Sequence, residues 1–385
     1  MGKRKIIYLI FVLLLILGCS DRNCNFNTNR IKDADLLYKE LEEKFNKIHT
    51  KSTISNTAQL GWIWGYIAKA AIDAYKYTCQ ERFLEILIES YEIILQYRDS
   101  ELNRIDEVRG EILTGWSYKK NSTSKRRVML ARNGMIALPV SLFCETVLKD
   151  KSLEKKYKSI AVRFLKSVED AVSVHDDYYR ITAKNEGYYI FPHDEKRTEP
   201  LNHTHLVAAT YAVLYSITGN KEYRVRVEQI SRYFKSTIRK LRNGSYVWGY
   251  APQPYPENER KNYKPENITK AGITIILPIV AYERNIFFTE ADMLAFSKTF
   301  LHNIYLGNNQ FNVFISWPDF NINDKRLPSI TKFIYFDDWD SKIREIIEEA
   351  VETRKDIFPK GWFSFIACLS DYPYSLQYVK IRGKK

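Results

Sequence analysis

The chain has 385 residues, 45% of them hydrophobic, which is enough apolar material for one large domain or two ordinary ones. Its formal charge of +13 favours anionic partners such as acidic glycans or lipid head groups, although a general richness in Lys, Ile, Asn and Tyr is an alternative source of that charge. The sequence has no P-loop, dinucleotide-binding glycine pattern, G-x-S-x-G or H-E-x-x-H motif, which argues against the enzyme classes built on them.

The first 18 residues have the pattern of a secretory signal. Basic residues at 3–5 precede the apolar run 6–17, which is too short to span a membrane as a mature helix. The following Gly18-Cys19-Ser20 resembles the bacterial lipobox, whose cysteine becomes the lipidated first residue. This resemblance implies a membrane anchor through lipid on Cys19, with Ser20 favouring the outer membrane. An ordinary cleaved signal and an uncleaved anchor are the alternatives.

Residues 19–32 are polar and rich in Asn, and they are expected to form a flexible tether ahead of a domain at 33–385. Loss of the signal would lower the formal charge from +13 to +10, because residues 3–5 carry three positive charges. A location outside the cytoplasm makes nucleic acid an unexpected partner and permits disulfides. The cysteines left to pair are Cys24, Cys79, Cys144 and Cys368, and their pairing stays open. None has zinc-ligand spacing, so the sequence predicts no metal site and no cofactor.

Helical spacing dominates the domain. After a first amphipathic helix at 33–49, four units each pair an apolar inner helix with an amphipathic outer helix and end in an aromatic, turn-rich tail. The units cover residues 57–97, 134–174, 202–241 and 268–304, so their starts lie 66 to 77 residues apart. Two more helices are predicted at 340–354 and 361–369. Sustained period-two alternation is missing, so we expect little sheet.

The third unit has the clearest signals. Its inner helix, from about residue 202 to 217, is apolar nearly all round, which is typical of a helix enclosed by other elements. Gly219 suits a left-handed cap at the end of that helix, and Asn220 suits the N-cap of the next. The tail of the unit, residues 244–250, carries Tyr246, Trp248 and Tyr250. The unit is therefore predicted to be an αα-hairpin with its polar residues at one end.

Repeated inner and outer helices with aromatic tails resemble the (α/α) toroid proteins, which include six-hairpin glycosidases, uronyl epimerases and toroid polysaccharide lyases. The resemblance covers most of residues 50–370 and implies an all-α fold, an (α/α) toroid of about five to six helical hairpins with minor β structure. Leu201-Asn202-His203 is similar to the Asn-Asn-His of alginate- and chondroitin-type lyases, although Leu201 replaces the first Asn. In such lyases the Asn and an Arg neutralise the substrate carboxylate, while His and Tyr move protons.

The candidate site residues lie near the N-termini of the inner helices, which a ring of hairpins brings to one face. Free backbone N–H groups and positive helix dipole ends favour an anionic substrate there. The catalytic candidates, which can move protons, are His203, Tyr246, Tyr250 and Glu266. The substrate-binding candidates, which can hydrogen-bond or pack against a sugar, are Asn202, His205, Arg132, Asn133, Trp248, Tyr255, Lys270 and Glu199. The charged segment 191–199 is expected to form the rim of the cavity, with His193 as a secondary candidate.

Each candidate also has a structural interpretation. Asn202 and Glu266 suit helix caps, His205 suits packing behind His203, and Arg132-Asn133 suits a solvated loop. Aromatic tails recur at Trp116, Tyr188 and Trp317, so most of these rings are expected to seal the gaps between hairpins.

The leading hypothesis is a lipid-anchored protein of the bacterial cell envelope that removes a proton next to a uronate carboxylate of an acidic polysaccharide, as lyases and epimerases do. One alternative is a glycan-binding or envelope-assembly lipoprotein without catalysis. The other is a glycoside hydrolase of the six-hairpin type, with an acid pair among Glu199, Glu266 and Asp319. The oligomeric state is not predicted.

Overall fold

The computed structural model of the chain describes residues 30–49, 60–119, 122–252, 265–315, 326–354 and 358. Helices dominate, as the sequence predicts. The α-helices are α1 (Arg30–Ile48), α2 (Gly65–Thr78), α3 (Arg82–Leu95), α4 (Leu130–Lys149), α5 (Lys151–Ser173), α6 (Leu201–Thr218), α7 (Lys221–Thr237), α8 (Ile268–Thr274), α9 (Ile276–Tyr282), α10 (Glu290–Thr299) and α11 (Lys342–Thr353).

Shorter helical segments extend this set. A π-helical turn, Leu60–Trp64, leads into α2, and another, Phe300–Ile304, continues α10. A 3-10 helix spans Leu327–Asp338, and a short 3-10 turn spans Asp176–Tyr178. The 3-10 helix was not predicted from the sequence.

The sheets are small, which confirms the expectation of minor β structure. The strands are β1 (Ile105–Asp106), β2 (Glu111–Ile112), β3 (Ser117–Tyr118), β4 (Arg127–Val128), β5 (Tyr179–Ile181), β6 (Gly187–Phe191), β7 (Asp194–Thr198), β8 (Arg239–Lys240), β9 (Tyr246–Val247), β10 (Tyr305–Gly307) and β11 (Gln310–Phe311). They form antiparallel pairs of neighbours along the chain, and only β5-β6-β7 makes three strands within the described residues. Most of them connect an outer helix to the next inner one.

The helices alternate between an inner and an outer position. The inner helices α4 and α6 are buried on nearly every side, whereas the outer helices bury one face and expose the other. Along the inner layer α2 packs on α4, α4 on α6, α6 on α8 and α9, and α8 on the 3-10 helix. The described residues contain five inner–outer hairpins, with α1 ahead of them, which agrees with the five to six predicted.

Side chains join the last inner helix back to the first. Lys332 of the 3-10 helix donates to the Tyr66 hydroxyl at 3.2 Å, and Lys69 of α2 donates to the Tyr335 hydroxyl at 2.9 Å. The inner layer thereby closes on itself. Hairpins reverse the chain direction twice per unit, so the inner helices run parallel and their N-termini lie at one face of the ring.

Two boundaries differ from the prediction. The second inner helix begins at Leu130 and not at Gly134, so Arg132 and Asn133 lie in its first turn and not in a preceding loop. The fourth inner helix is divided into α8 and α9 because Pro278 has no N–H to continue the ladder. The helix predicted at 361–369 lies outside the described residues. Of the described cysteines, Cys79 is disulfide-bonded and Cys144 is a buried free thiol.

Candidate functional site

The N-termini of the inner helices meet closely at one face. The Thr269 hydroxyl of α8 lies 2.7 Å from the Ser329 hydroxyl of the 3-10 helix. A Cβ at Gly61, just before α2, would lie 3.0 Å from Cγ of Arg132 in α4. Side chains that begin different inner helices can therefore act on one ligand.

His203 and Glu199 form a hydrogen-bonded pair at the start of α6. Nδ1 of His203 lies 2.7 Å from a Glu199 carboxylate oxygen, and the two side chains are 13% and 5% exposed. Glu199 is held in place because its backbone N–H donates to the Tyr189 carbonyl of β6. Nε2 of His203 has no hydrogen-bond partner among the described residues. A neutral imidazole that donates Nδ1–H to the carboxylate keeps an Nε2 lone pair able to accept a proton.

Asn202 lies beside this pair with its side chain nearly buried. Its Oδ1 atom is shielded from solvent and accepts no hydrogen bond within the described part of the chain. The structure gives the N-cap position of α6 to Pro200, so Asn202 does not cap the helix. A buried amide oxygen without a donor is costly unless a ligand or water supplies one. This position suits the substrate-binding role predicted for Asn202.

Tyr250 and Lys270 form a second polar pair next to the start of α6. The Tyr250 carbonyl accepts the first N–H of that helix, from Leu201, at 3.1 Å. The Lys270 ammonium lies 3.5 Å from the centroid of the Tyr250 ring, in a cation–π contact. Burial raises the pKa of the Tyr250 hydroxyl to about 12, with Glu266 and Glu199 adding to the shift. Burial also lowers the pKa of Lys270, while nearby Glu266 raises it.

Glu266 is fully buried near that pair. One carboxyl oxygen accepts from the Trp248 indole N–H and the other accepts from the Thr274 hydroxyl at 2.9 Å. Burial raises its pKa to about 8, against the opposing effect of these two donors and of Lys270. A catalytic role in contact with substrate, predicted for Glu266, does not fit a side chain with no exposed surface. Its ionised form would favour the charged form of Lys270, whose pKa it raises.

Two other predicted residues belong to the interior. His205 is fully buried, with Nδ1 2.6 Å from the Thr274 carbonyl and its ring against Phe234, and burial lowers its pKa to about 4. Trp248 is enclosed by Phe234 and Phe296. Both were predicted to bind substrate, and both instead are buried among packed side chains, with the Trp248 indole N–H and Nδ1 of His205 bonded to Glu266 and to the Thr274 carbonyl.

Tyr246 lies against the outer helices α7 and α10. Its hydroxyl donates to Asp292 of α10 at 2.8 Å and accepts from Lys235 of α7, so it joins two outer helices. The prediction that Tyr246 shares the catalytic cluster is therefore not supported by its position. In the same aromatic tail, Tyr250 bonds to the first N–H of α6 and contacts Lys270 of α8.

Of the two candidates in the second inner helix, Arg132 is placed where it could bind substrate and Asn133 is not. The Arg132 guanidinium lies 3.6 Å from the centroid of Tyr118, and burial lowers its pKa to about 10. The Asn133 side chain is fully buried, donates to the Ala171 carbonyl at 2.7 Å and contacts His175. Asn133 thus ties α4 to α5 instead of binding substrate. The sequence analysis did not select Tyr118 as a site residue. Its position two residues after Trp116 in an aromatic tail is the signal that could have pointed to it.

Cys19, Tyr255, Trp317 and Asp319 lie outside the described residues, so their predicted roles stay predictions. Among the described residues no group of three or more His, Cys, Asp or Glu side chains is arranged to hold a metal ion. No described helix is long and apolar enough to cross a membrane. A cavity of about 350 Å³ lies elsewhere, between the outer helices α5 and α7, where Glu169, Asp176 and Arg226 are engaged with neighbouring tyrosines.

Comparison with known proteins identifies the architecture. No family model and no curated protein matches the sequence. A polysaccharide lyase aligns over 93% of this chain and 99% of its own, with a TM-score of 0.53 and 10% identity. Cellobiose 2-epimerase from Bacillus thermoamylovorans aligns over 83% and 87%, with a TM-score of 0.52 and 8% identity. The α-1,6-mannanase GH76A of Salegentibacter sp. HEL1_6 aligns over 90% and 98%, with a TM-score of 0.51 and 13% identity. The predicted (α/α) toroid fold is confirmed.

Proposed function

We propose that this protein is an enzyme of acidic polysaccharides that removes the proton next to a uronate carboxylate, as a lyase or an epimerase. The observation that carries the proposal is the His203–Glu199 pair at the start of α6, beside Asn202 and the Tyr250–Lys270 pair. Proton abstraction at such a carbon needs a base and a group that neutralises the carboxylate, and both are available at this face. The solved structures of the same fold include a polysaccharide lyase and an epimerase, which is consistent with it.

The chemistry assigns one role to each group. Nε2 of His203 takes the proton, and the positive charge that develops on the ring is stabilised by Glu199 through Nδ1–H. Lys270 binds the substrate carboxylate, with Arg132 at the next inner helix, and the buried Oδ1 of Asn202 accepts from a sugar hydroxyl. In elimination the electrons of the broken C–H bond form the C4=C5 double bond as the C4–O bond breaks, and the Tyr250 hydroxyl supplies the proton to the leaving oxygen. In epimerisation the same carbanion takes a proton from the opposite face.

The test is a screen of uronate-containing polysaccharides with three readouts. Ultraviolet absorbance detects new double bonds, NMR detects inverted sugar carbons, and a reducing-end assay detects hydrolysis. His203→Ala should lower turnover by roughly 10²–10⁴-fold, the contribution expected of a positioned general base. The matched control is His302→Ala, since His302 is exposed on an outer helix and should leave turnover unchanged.

The outcomes separate the proposal from its alternatives. Binding of uronate polysaccharides with no product by any readout would replace the enzyme with a glycan-binding protein. Reducing ends without double bonds or inversion would indicate a hydrolase. Full activity of His203→Ala, or loss of its fold, would remove His203 from the chemistry.

We also propose that the protein is held in the cell envelope by lipid on Cys19, favouring the outer membrane. The support is the Gly18-Cys19-Ser20 sequence after a short apolar run. Cys19→Ala should abolish incorporation of labelled palmitate and leave the signal uncleaved after Gly18. The control is Cys24→Ala, which should be labelled like the wild type. Labelling of the Cys19→Ala protein would contradict the anchor.

A further inference from the structure

Four side chains lie together at the edge of the same face and have no role in the chemistry above. They are Arg127 of β4 and Phe191, His193 and Arg197 of the β6–β7 hairpin, and together we name them the rim cluster. Nη1 of Arg127 lies 2.8 Å from Nδ1 and 3.1 Å from Nε2 of His193. The Phe191 ring lies 5.3 Å from the His193 ring and 5.2 Å from the Arg197 guanidinium.

Neither arginine of the rim cluster has a carboxylate within hydrogen-bond distance among the described residues. Arg127 forms no ion pair with an acidic side chain in the described ranges, and its guanidinium contacts an imidazole instead. Arg197 approaches Asp194 only at 4.0 Å, and Glu199 is already bonded to His203. An arginine fork is best matched by a carboxylate or a similar oxyanion. The arrangement therefore leaves room for an anionic partner at Arg127.

Charged groups on both sides of His193 shift its pKa. Burial and the adjacent Arg127 and Arg197 lower its pKa, while Glu199 and Asp194 raise it. At neutral pH the ring is uncharged and accepts from the guanidinium. Protonation would place two cations in contact, which is favourable only when an anion lies between or beside them. An anion bound at Arg127 and proton uptake by His193 should thus support each other.

The rim cluster bridges two neighbouring hairpin units. β4 leads directly into α4, and β7 leads through Glu199 into α6. Arg127 is paired across the β3–β4 ladder with Tyr118, whose ring lies under Arg132. A row of cationic and aromatic groups, Arg132, Tyr118 and Arg127, therefore connects the start of α4 to the rim cluster.

We propose that the rim cluster is a second anion-binding subsite, which holds the carboxylate or sulfate of a sugar adjacent to the one that reacts. The inference rests on the proposed function for the identity of the chain that occupies it. Arg127 supplies two parallel donors, His193 a third when protonated, and Phe191 an apolar surface for the C–H face of a sugar ring. The substrate class that fits is a polysaccharide with acidic groups on successive residues.

The first experiment needs no turnover. Histidine side-chain NMR follows the titration of His193 in sulfate and in chloride at equal ionic strength, so that general screening is the same. Sulfate should raise the pKa of His193 in the wild type and in Lys184→Gln, a charge-matched control in the exposed turn at the other end of β6. Arg127→Gln should titrate identically in both salts. Equal titration of the wild type in the two salts would overturn the subsite.

The second experiment uses sugars as probes. Arg127→Gln should weaken binding of trigalacturonate about tenfold, the effect of one charge-assisted contact, while leaving binding of the monosaccharide unchanged. A sulfated trisaccharide tested in parallel distinguishes a sulfate from a carboxylate occupant. Equal affinity of wild type and Arg127→Gln for both trisaccharides would overturn the subsite. A wild type that binds these trisaccharides through Arg127 but shows no turnover of any uronate polymer would overturn the enzyme proposal and retain the subsite.

Discussion

Glu266 is a carboxyl group that the fold encloses completely. Its charge is opposed by burial and favoured by the Trp248 indole, the Thr274 hydroxyl and Lys270, and burial prevails, since its pKa rises from 4.5 to about 8. In the unfolded chain the same group loses its proton near 4.5. Between these two values the folded state binds more protons than the unfolded state, so Glu266 lowers stability progressively as the pH rises.

Glu266→Gln should remove that dependence. The amide resembles the protonated acid in shape and charge, and the Thr274 hydroxyl can turn to accept from it. Below pH 4.5 the variant should match the wild type or be slightly less stable, and above pH 8 it should be more stable by on the order of a few kcal/mol. Urea denaturation across this range measures the difference, with Glu101→Gln on the exposed surface as the control. Parallel curves for the variant and the wild type would show that Glu266 is ionised in the folded protein.

The sequence predicted the positions of some candidate site residues correctly and those of others incorrectly. The sequence predicted that His203, Asn202, Tyr250 and Lys270 lie near one another because each is at or near the start of an inner helix, and parallel helices bring such positions to one face; their roles stay predictions. Tyr246 was misplaced because the sequence does not show where an aromatic tail crosses from the outer layer to the inner one. The missed contact of Arg127 with His193 joins residues 66 apart, and neither carries a local signal for the other.

At the scale of elements, hydrophobic periodicity was sufficient to predict the long helices and their inner or outer positions. α6 lacks a polar face and α7 has a single apolar stripe, so their inner and outer positions follow from the pattern alone. The Asn220 side chain caps α7 by accepting from the Glu222 N–H, and Gly219 takes the left-handed position at the end of α6, both as predicted.

The 3-10 helix Leu327–Asp338 could not be predicted in the same way. Residues 327–334 are all buried, so the segment has no exposed face to give a helical period, and it includes a buried lysine. Lys332 packs over Gly272 of α8, where an added Cβ would lie 2.3 Å from the lysine Cδ. Tertiary packing against α8 therefore shapes this segment, and its sequence shows no α-helical stripe to find.

At the scale of the whole molecule, the dependence of stability on pH is the sum of contributions from buried groups, some of which lower stability as the pH rises and others as it falls. Burial raises the pKa of Asp99 to about 6 and that of Glu266 to about 8, and both groups cost stability as the pH rises. Burial lowers the pKa of His205 to about 4 and that of His175 well below 6.5, and both cost stability as the pH falls. In mildly acidic solution the two pairs oppose each other, so the net dependence should be shallow there.

His205→Asn should remove one of these contributions to the pH dependence of stability. The asparagine side chain can still donate to the Thr274 carbonyl, as Nδ1 of His205 does, but it cannot take up a proton. At pH 7 the variant should be less stable, because the smaller side chain leaves space beside Phe234. In the wild type the unfolded chain binds a proton at His205 below pH 6.5 that the folded state accepts only near pH 4, which removes on the order of 3 kcal/mol of stability across this interval. The variant has no such loss, so the stability difference between the two proteins should shrink as the pH falls from 6.5 to 4.

Urea denaturation at a series of pH values measures this convergence, and His302→Asn on the surface should follow the wild type throughout. A constant difference at every pH would mean that His205 takes up its proton as readily in the folded ring as in the unfolded chain, and the interior assigned to it would be wrong.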